Sequence, residues 1–328
     1  MKRRQIILAL PAATAGAWAP RAWSQQAATT TPLTIVLPYP PGGSADTTVR
    51  LIADEISKET GRPTVVLSKP GGNTLIGNSF AAKADADGNT VLVGANTGFV
   101  NNMGLYDKLP YDPVKDFEPV VLLTTLPLMI AARPDAPFKT LAEMVAYAKA
   151  NPDKVTRSSA GTGNITNIGF RLFEDARGFK TWHVPYAGDP GALNALLAGQ
   201  VDLYMTTVAL MRQHVQSGRI RGMAMLGKYA KRDAVLTDVP TVTEAGFPDF
   251  DVDSWYAFFV PAKTPLPVIE ELNRVTNAVL RKPNVIEALR RFGVEPAGGS
   301  PADLQKRLDS DRARWVPEIR RMGIKADQ

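Results

Sequence analysis

The stretch "LTIVLPYPPGGSADTTVRLIADEI", residues 33–56, decides the fold class. Its first seven residues have the apolar, β-branched composition of a strand. Val49, Ile52 and Ile56 then recur at helical spacing. The glycines and prolines of residues 40–43 form a tight turn aimed at the start of that helix. Because a helix start leaves N–H groups unpaired and carries partial positive charge, this junction can hold an anion without Lys or Arg.

The same arrangement recurs in "KPGGNTLIG" at residues 69–77 and in "SSAGTGNITNIG" at residues 158–169. The cores of these loops contain no Lys or Arg, so backbone N–H groups, hydroxyls and amides would have to bind an anion. Ligands of α/β proteins sit at the carboxyl ends of the strands, where these loops begin. The alternative is a set of ordinary strand-to-helix turns. Tyr39 and Tyr186 each adjoin a loop, where a phenol could contact a ligand or simply pack.

Strand-like runs alternate with helical patterns along most of the chain, as in "TVVLS" at residues 64–68 and "TVLVGAN" at residues 90–96. This alternation predicts an α/β fold built from parallel units. The pattern starts again after a long apolar run, which indicates two lobes with boundaries near residues 125–132 and 226–253. The aromatic residues of "DSWYAFFVP" are expected to lie mostly in the core.

The N-terminus has the organisation of an export signal. A basic start is followed by an apolar region, residues 6–19, that is too short to span a membrane comfortably. "AWS" at residues 22–24 offers a cleavage site, so residues 1–24 are predicted to be a signal peptide and Gln25 the mature start. "RRQII" also resembles a twin-arginine signal. An uncleaved anchor is the alternative. Export to a bacterial periplasm is the simplest expectation.

Composition excludes several classes of function for this chain of 328 residues. There is no cysteine, which excludes disulfides, thiolate metal sites and a cysteine nucleophile. Removing residues 1–24 takes away four basic residues and no acidic one, which leaves 34 basic against 32 acidic residues. The mature chain has no basic stripe of the kind that nucleic-acid binding requires.

Catalytic and metal-binding motifs are not found. "GTGNIT" has Thr166 where a dinucleotide-binding loop needs its third glycine. His183 and His214 have no neighbour at metal-ligand spacing, and structural roles are expected for both. A hydrolytic triad would require one of them to meet a serine and an acid across the fold. We therefore predict no catalytic residue, no metal and no cofactor.

Several longer stretches carry a family resemblance. They include "YPPGGSADTTVR", "KPGGNTLIGNSFAAKADADGNTVLVG", "HVPYAGDPGALNALLAGQVDLYM" and "SGRIRGMAMLGKYAKRDAVLTDVPTVTEAGFPDF". Their order and number resemble the exported solute receptors of tripartite tricarboxylate transporters, the Bug family. The resemblance runs from about Leu33 to Gly323.

The resemblance implies a two-lobed periplasmic binding protein fold, type II-like, with the ligand cleft between the lobes and two hinge crossings. Residues 32–125 and 250–328 would form lobe 1, and residues 126–249 lobe 2. The ligand would be a small carboxylate, and the partner would be the integral membrane permease subunits of such a transporter. A monomer that binds no nucleic acid is expected. The alternatives are a hydrolase-like periplasmic enzyme and a receptor that signals to a membrane sensor.

The resemblance also assigns ligand-binding residues to the glycine loops, largely through backbone N–H groups and ordered water. Together with Tyr39, the predicted substrate-binding residues are Gly42, Gly43, Ser44, Asp46, Gly71, Gly72, Asn73, Asn96, Thr97, Ser159, Gly161, Thr162 and Tyr186. Asp202 matches a recurring acid for which a structural or hinge-facing role is expected.

This chain departs from the family pattern at two positions on lobe 2. Asn167 stands where the family often has His, and Ala187 stands where it often has Lys. Without a positive charge at residue 187, a second ligand carboxylate loses its expected partner. The prediction is a ligand with at least one carboxylate that is aromatic or carries an amide.

Overall fold

The first βα unit forms as the sequence predicts. In the computed structural model, which describes residues 31–227, 235–250 and 252–325, strand β1 spans Leu33–Leu37 and helix α1 spans Ser44–Thr60. The predicted apolar face of α1 is buried against the sheet. The helix ends at Gly61, whose left-handed backbone (φ 66°) suits glycine.

Strands and helices alternate through most of the described chain. The strands are β1 (Leu33–Leu37), β2 (Thr64–Ser68), β3 (Thr90–Ala95), β4 (Phe117–Ala132), β5 (Thr156–Ser159), β6 (Trp182–Pro185), β7 (Leu203–Thr207), β8 (Arg221–Leu226), β9 (Asp253–Pro261) and β10 (Glu295–Pro296). The helices are α1 (Ser44–Thr60), α2 (Leu75–Ala82), α3 (Asn102–Leu105), α4 (Leu141–Ala150), α5 (Ile165–Arg177), α6 (Asp189–Leu197), α7 (Val208–Gln216), α8 (Leu266–Leu280), α9 (Pro283–Arg291) and α10 (Pro301–Arg321). A π-helical turn, Thr97–Asn101, precedes α3.

The strands follow the order β2-β1-β3-β9-β4-β7-β5-β6, with β8 and β10 also paired to β4. Strands β1, β2 and β3 are parallel, and so are β5, β6 and β7. The predicted parallel units therefore form. Strand β9 lies between β3 and β4 and runs antiparallel to both. Sequence alternation did not indicate this insertion, because β9 returns from a distant part of the chain.

Strand β4 belongs to two sheets. Residues 117–127 pair with β9, whereas residues 128–132 pair with β7 and β8. We call β1, β2, β3, β9, β10 and residues 117–127 the first sheet, and β5–β8 with residues 128–132 the second sheet. The chain returns to the first sheet between Leu226 and Asp253. The molecule therefore has a mixed α/β, two-lobed architecture with two crossings.

The aromatic residues of β9 lie in the core, as predicted. Trp255 is fully buried, and its indole Nε1 donates a hydrogen bond to Asp311 Oδ2 at 2.8 Å. Tyr256, Phe258 and Phe259 are also buried. Because β9 is central to the first sheet, these side chains fill the cores on both of its faces.

Asp202 has the structural role that was expected. Its carboxylate accepts hydrogen bonds from Arg133 Nε at 2.7 Å and from the backbone N–H and the hydroxyl of Thr156 at 2.8 and 2.9 Å. These bonds tie β4 and β5 to the start of β7. Within the described ranges, no helix combines the length and the apolar character that a membrane crossing requires. Residues 1–24, the predicted signal peptide, lie outside the described residues.

Candidate functional site

The three glycine loops meet around one cavity of about 360 Å³. The first loop (residues 38–45) and the second loop (residues 70–74) follow strands of the first sheet. The third loop (residues 160–164) and the turn at residues 186–190 follow strands of the second sheet. The cavity therefore lies between the two sheets, with donors from both sides.

The second loop has the most unusual backbone. Gly71, Gly72, Asn73 and Thr74 all have positive φ, with values of 125°, 55°, 52° and 74°. This conformation is a rare one for a β-branched residue such as Thr74. Strain of this kind persists only where the surroundings impose it, and it is concentrated at ligand sites. Here Asn102 Nδ2 donates to the carbonyl of Asn73 at 2.9 Å and helps to fix the loop.

The backbone N–H groups of these four residues donate no hydrogen bond to any residue that the structure describes. All four residues line the cavity. Successive N–H groups in a turn form a concave anion-binding site. The second loop therefore offers the cavity donors that have no protein acceptor.

The first loop is held by its own acidic residue. The N–H of Gly42 donates to Asp46 Oδ2 at 3.1 Å, and Arg50 Nε donates to Asp46 Oδ1 at 2.8 Å. Both carboxylate oxygens of Asp46 are thus used inside the loop and helix α1. Gly43 and Ala45 line the cavity, whereas Gly42 and Asp46 do not. These contacts fix the shape of the first loop.

The third loop is supported by a buried ion pair. Arg157 and Glu174 are each 1% exposed, and Arg157 Nε lies 3.2 Å from Glu174 Oε1. Arg157 Nη1 donates to Asn167 Oδ1 at 2.8 Å, and Asn167 Nδ2 donates to the carbonyl of Thr162 at 2.6 Å. Burial lowers the pKa of Arg157, while the charge of Glu174 opposes that shift. The departure from the family pattern at Asn167 therefore belongs to a network that ends at the loop backbone.

Ser159 and His183 lie close together behind the third loop. Ser159 Oγ is 2.7 Å from His183 Nε2 and accepts a hydrogen bond from the N–H of Gly161 at 3.2 Å. Ser159 is fully buried and is not among the residues lining the cavity. The pair thus links β5 to β6 and shapes the loop, and a substrate in the cavity would not reach the hydroxyl.

Asp189 lines the cavity, although the sequence analysis did not single it out. Its Oδ1 accepts hydrogen bonds from Tyr204 Oη at 2.5 Å and from Thr206 Oγ1 at 2.7 Å. In the sequence, "DPGAL" has only the pattern of a helix start, with proline in the first turn. Asp189 also lines a smaller cavity of about 30 Å³, which shares Tyr39 and Thr97 with the larger one.

Three tyrosines surround this carboxylate, of which Tyr204 and Tyr256 are buried and Tyr39 is partly buried. Burial raises the pKa of Tyr39, Tyr204 and Tyr256, and the charge of Asp189 raises the pKa of each further. Their phenols therefore stay protonated at neutral pH and act as hydrogen-bond donors. Tyr256 Oη lies 3.0 Å from Ser44 Oγ, and its ring centroid is 6.1 Å from that of Tyr39.

Most of the sequence-predicted binding residues come together, and some do not. Those that line the larger or the smaller cavity are Tyr39, Gly43, Ser44, Gly71, Gly72, Asn73, Thr97, Gly161 and Tyr186. Those outside the lining are Gly42, Asp46, Asn96, Ser159 and Thr162. Asn96 Oδ1 accepts hydrogen bonds from the N–H of Trp255 and the hydroxyl of Ser254, both at 3.2 Å, so it ties β3 to β9.

Loops of the two sheets touch across the cavity. A Cβ added at Gly163 would lie 2.0 Å from Asn73 Nδ2, and one added at Gly188 would lie 2.9 Å from Cγ of Pro40. Both glycines therefore permit a close approach between loops of different sheets. No group of His, Asp and Glu side chains in the described ranges could hold a metal ion.

Comparison with known proteins places these features in a family. Residues 48–324 match the family described as "Tripartite tricarboxylate transporter family receptor" (TctC). The "UPF0065 protein in tcbD-tcbE intergenic region" of a Pseudomonas species is 35% identical, over 90% of this chain and 88% of that protein. "Protein BugT" of Bordetella pertussis is 29% identical, over 99% of both chains.

Solved structures agree with this result. Rpa4515 of R. palustris, described "with adipate", is 31% identical and superposes with a TM-score of 0.84 over 90% of this chain and 98% of its own. MatC (Rpa3494) of Rhodopseudomonas palustris, described "with bound malate", is 31% identical, with a TM-score of 0.81 over 88% and 98% of the two chains. The chain therefore belongs to the tripartite tricarboxylate transporter receptor family, the Bug family of solute-binding proteins.

Proposed function

We propose that this chain is a periplasmic receptor that binds a small carboxylate-containing ligand between the three glycine loops and delivers it to a tripartite tricarboxylate-type membrane transporter. The observation that carries the proposal is the set of N–H groups at Gly71–Thr74, which have no acceptor among the described residues and belong to the cavity lining. A carboxylate provides the acceptors that these groups lack.

The ligands of the solved relatives support this assignment. Adipate and malate, named for Rpa4515 and MatC, are both small dicarboxylates. Lys and Arg are absent from the described residues that line the cavity. A carboxylate in this cleft would therefore be bound by backbone N–H groups, hydroxyls and ordered water. We assign this role first to Gly71, Gly72 and Asn73, with Gly43 lining the same cavity at the start of α1 and Ser44 lining the smaller cavity beside it.

Ligand capture would occur by closure of the two lobes. We propose that lobe 1 comprises residues 32–125 and 250–328, and lobe 2 residues 126–249. The change of strand partners inside β4, between Pro127 and Leu128, supports a crossing at this boundary. A ligand that contacts loops of both lobes would favour the closed state by its differential affinity.

The delivery role requires export and a membrane partner. We propose that residues 1–24 are removed as a signal peptide and that the mature chain acts as a monomer on integral membrane permease subunits. We also propose that it has no enzymatic activity. The burial of Ser159 supports this view, because the one serine–histidine pair identified near the site is closed to the cavity.

The decisive experiment measures binding to ligand-free protein. The full chain is expressed with export, purified from the periplasm, stripped of ligand by unfolding and refolding, and screened by thermal unfolding with succinate, glutarate, adipate and malate. A ligand at a hundred times its Kd stabilises the folded state by about 2.7 kcal/mol. The panel is extended with amine-bearing acids such as glutamate and aspartate. A selective rise in Tm supports the proposal, and the absence of a rise with every carboxylate of the extended panel contradicts it. The mass of the purified chain tests cleavage after Ser24.

Two substitutions at one glycine test the anion site itself. Gly72 has φ 55°, a left-handed conformation that Asp and Asn adopt more readily than other residues, and a Cβ there meets only ordinary contacts with Leu75. Gly72→Asp places a negative charge beside the proposed carboxylate position, whereas Gly72→Asn is nearly isosteric and neutral. We expect Gly72→Asp to abolish binding and Gly72→Asn to retain much of it. Equal loss in both variants would argue against an anion at this loop.

A further inference from the structure

Asp189 is the one charged side chain among the described residues that line the cavity. It stands at the first position of α6, and it is half-buried. It forms no ion pair with any residue in the described ranges. A carboxylate that closure of a cleft removes from water is unfavourable unless a partner compensates its charge. The described residues supply hydroxyl groups to one side of this carboxylate and no cation.

The two oxygens of Asp189 are not equivalent. Oδ1 accepts the hydrogen bonds of Tyr204 and Thr206, which fix the orientation of the carboxylate. Oδ2 accepts no hydrogen bond from the described residues. A Cβ at Gly43 would lie 3.7 Å from Oδ2, so this oxygen faces the first loop across the cleft. The N-terminus of α6 favours an acid in its first turn, and this structural role accounts for the carboxylate and the bonds to Oδ1. It does not account for Oδ2, which faces the cleft without a donor from the described residues.

We infer that Asp189 selects ligands that carry an ammonium group in addition to the carboxylate, so that the ligand class is zwitterionic. This inference rests on the proposed function, in which the second loop binds the ligand carboxylate. The ammonium group donates to Oδ2 and balances the charge of Asp189, while the ligand carboxylate takes the N–H donors of Gly71–Thr74. The cavity then holds complementary charges at two of its sides without any Lys or Arg.

The test compares ligands that differ in one group. Calorimetric titration of ligand-free protein uses straight-chain ω-amino acids of three to six carbons and the α-amino acids glutamate and aspartate. Each is matched to the acid that lacks the amine and to an acid with a neutral amide in its place. A charge-assisted hydrogen bond predicts that the best amine binds at least about tenfold tighter than its matched acid. An amide that binds as tightly as the amine overturns the ammonium assignment.

Asp189→Asn tests whether Asp189 causes the preference for the amine-bearing ligand. The amide oxygen of Asn can still accept from Tyr204 and Thr206, so the fold should be preserved, and thermal unfolding checks this. We expect the preference for the amine to fall to within about twofold. Asp309→Asn, on the exposed face of α10 at 64% side-chain exposure, is the matched control and should leave the preference unchanged.

The outcomes distinguish the zwitterionic ligand class from the receptor function. Binding of plain carboxylates as tightly as their amine-bearing counterparts, or an unchanged preference in Asp189→Asn, overturns the inference and leaves the receptor function standing. Failure of every carboxylate, with or without an amine, overturns the proposed function and this inference with it.

Discussion

The side-chain amide of Asn73 lies directly over Gly163, so close that a Cβ at Gly163 would stand 2.0 Å from Asn73 Nδ2. Asn73 belongs to the second loop and Gly163 to the third, so this contact joins loops that follow the two different sheets, beside the cavity. Gly163→Ala should therefore disfavour closure. Overpacking costs about 1–3 kcal/mol, and we expect this cost to fall on the closed state, in which the two loops meet. We expect ligand affinity to fall about tenfold in calorimetric titration while Tm without ligand hardly changes.

A compensating substitution distinguishes this mechanism from general damage. Asn73→Gly removes the amide, accepts the left-handed backbone (φ 52°) and keeps the backbone N–H, although Cδ1 of Leu105 would still lie 2.6 Å from the added Cβ. The double variant Asn73→Gly/Gly163→Ala should regain affinity relative to Gly163→Ala. If the double variant binds no better than the single one, the contact with Asn73 does not limit closure, and the triple variant with Leu105→Ala tests the remaining contact.

The buried pair of Arg157 and Glu174 should couple stability to the shape of the third loop. Arg157→Met leaves the carboxylate of Glu174 buried, with Arg171 at 3.2 Å as its one remaining cation partner among the described residues. Breaking a buried pair from one side costs about 3 kcal/mol. The double variant Arg157→Met/Glu174→Gln should recover part of this loss. Urea unfolding of the two single variants and the double variant gives the coupling energy, and strictly additive losses would contradict the network.

The sequence predicted the architecture better than the roles of side chains. The βα units, the aromatic core of β9 and the three loops follow from periodicity and from glycine and proline placement, which are local properties. The insertion of β9 beside β3 and the change of partners inside β4 depend on pairing between distant segments. Local patterns carry no information about such pairing.

The same distinction between local and distant contacts explains which residues of the site could be predicted from the sequence. The glycine loops were recognised because a turn before a helix is a local signal. Asp189 was overlooked because "DPGAL" is an ordinary helix start, and its meaning depends on Tyr204 and Thr206, which come from another strand. Asp46 was assigned to the ligand from family resemblance. Its contacts with Gly42 and Arg50 became apparent only in the folded loop.

Asp46 should act on the ligand only through the shape of the first loop. Asp46→Asn can still accept from the N–H of Gly42 but loses the charge that pairs with Arg50, which is 49% exposed. A half-exposed ion pair contributes less than about 1 kcal/mol. We expect a small loss of stability in urea unfolding and a loss of ligand affinity below about threefold. A hundredfold loss of affinity would instead indicate direct contact with the ligand.

The three tyrosines around Asp189 should make the free energy of unfolding fall at alkaline pH. The folded-state pKa values of Tyr39, Tyr204 and Tyr256 are raised, mainly by burial, above the value of about 10 expected in the unfolded chain. Their contribution is fully present below pH 10. Above pH 10 the unfolded chain loses these protons and the folded chain keeps them, so the free energy of unfolding falls as pH rises. Each group contributes a slope of about 1.4 kcal/mol per pH unit. Urea unfolding between pH 8 and 11 should show this fall. Tyr39→Phe should reduce the slope by the contribution of one tyrosine. A variant with the wild-type slope would show that Tyr39 does not contribute.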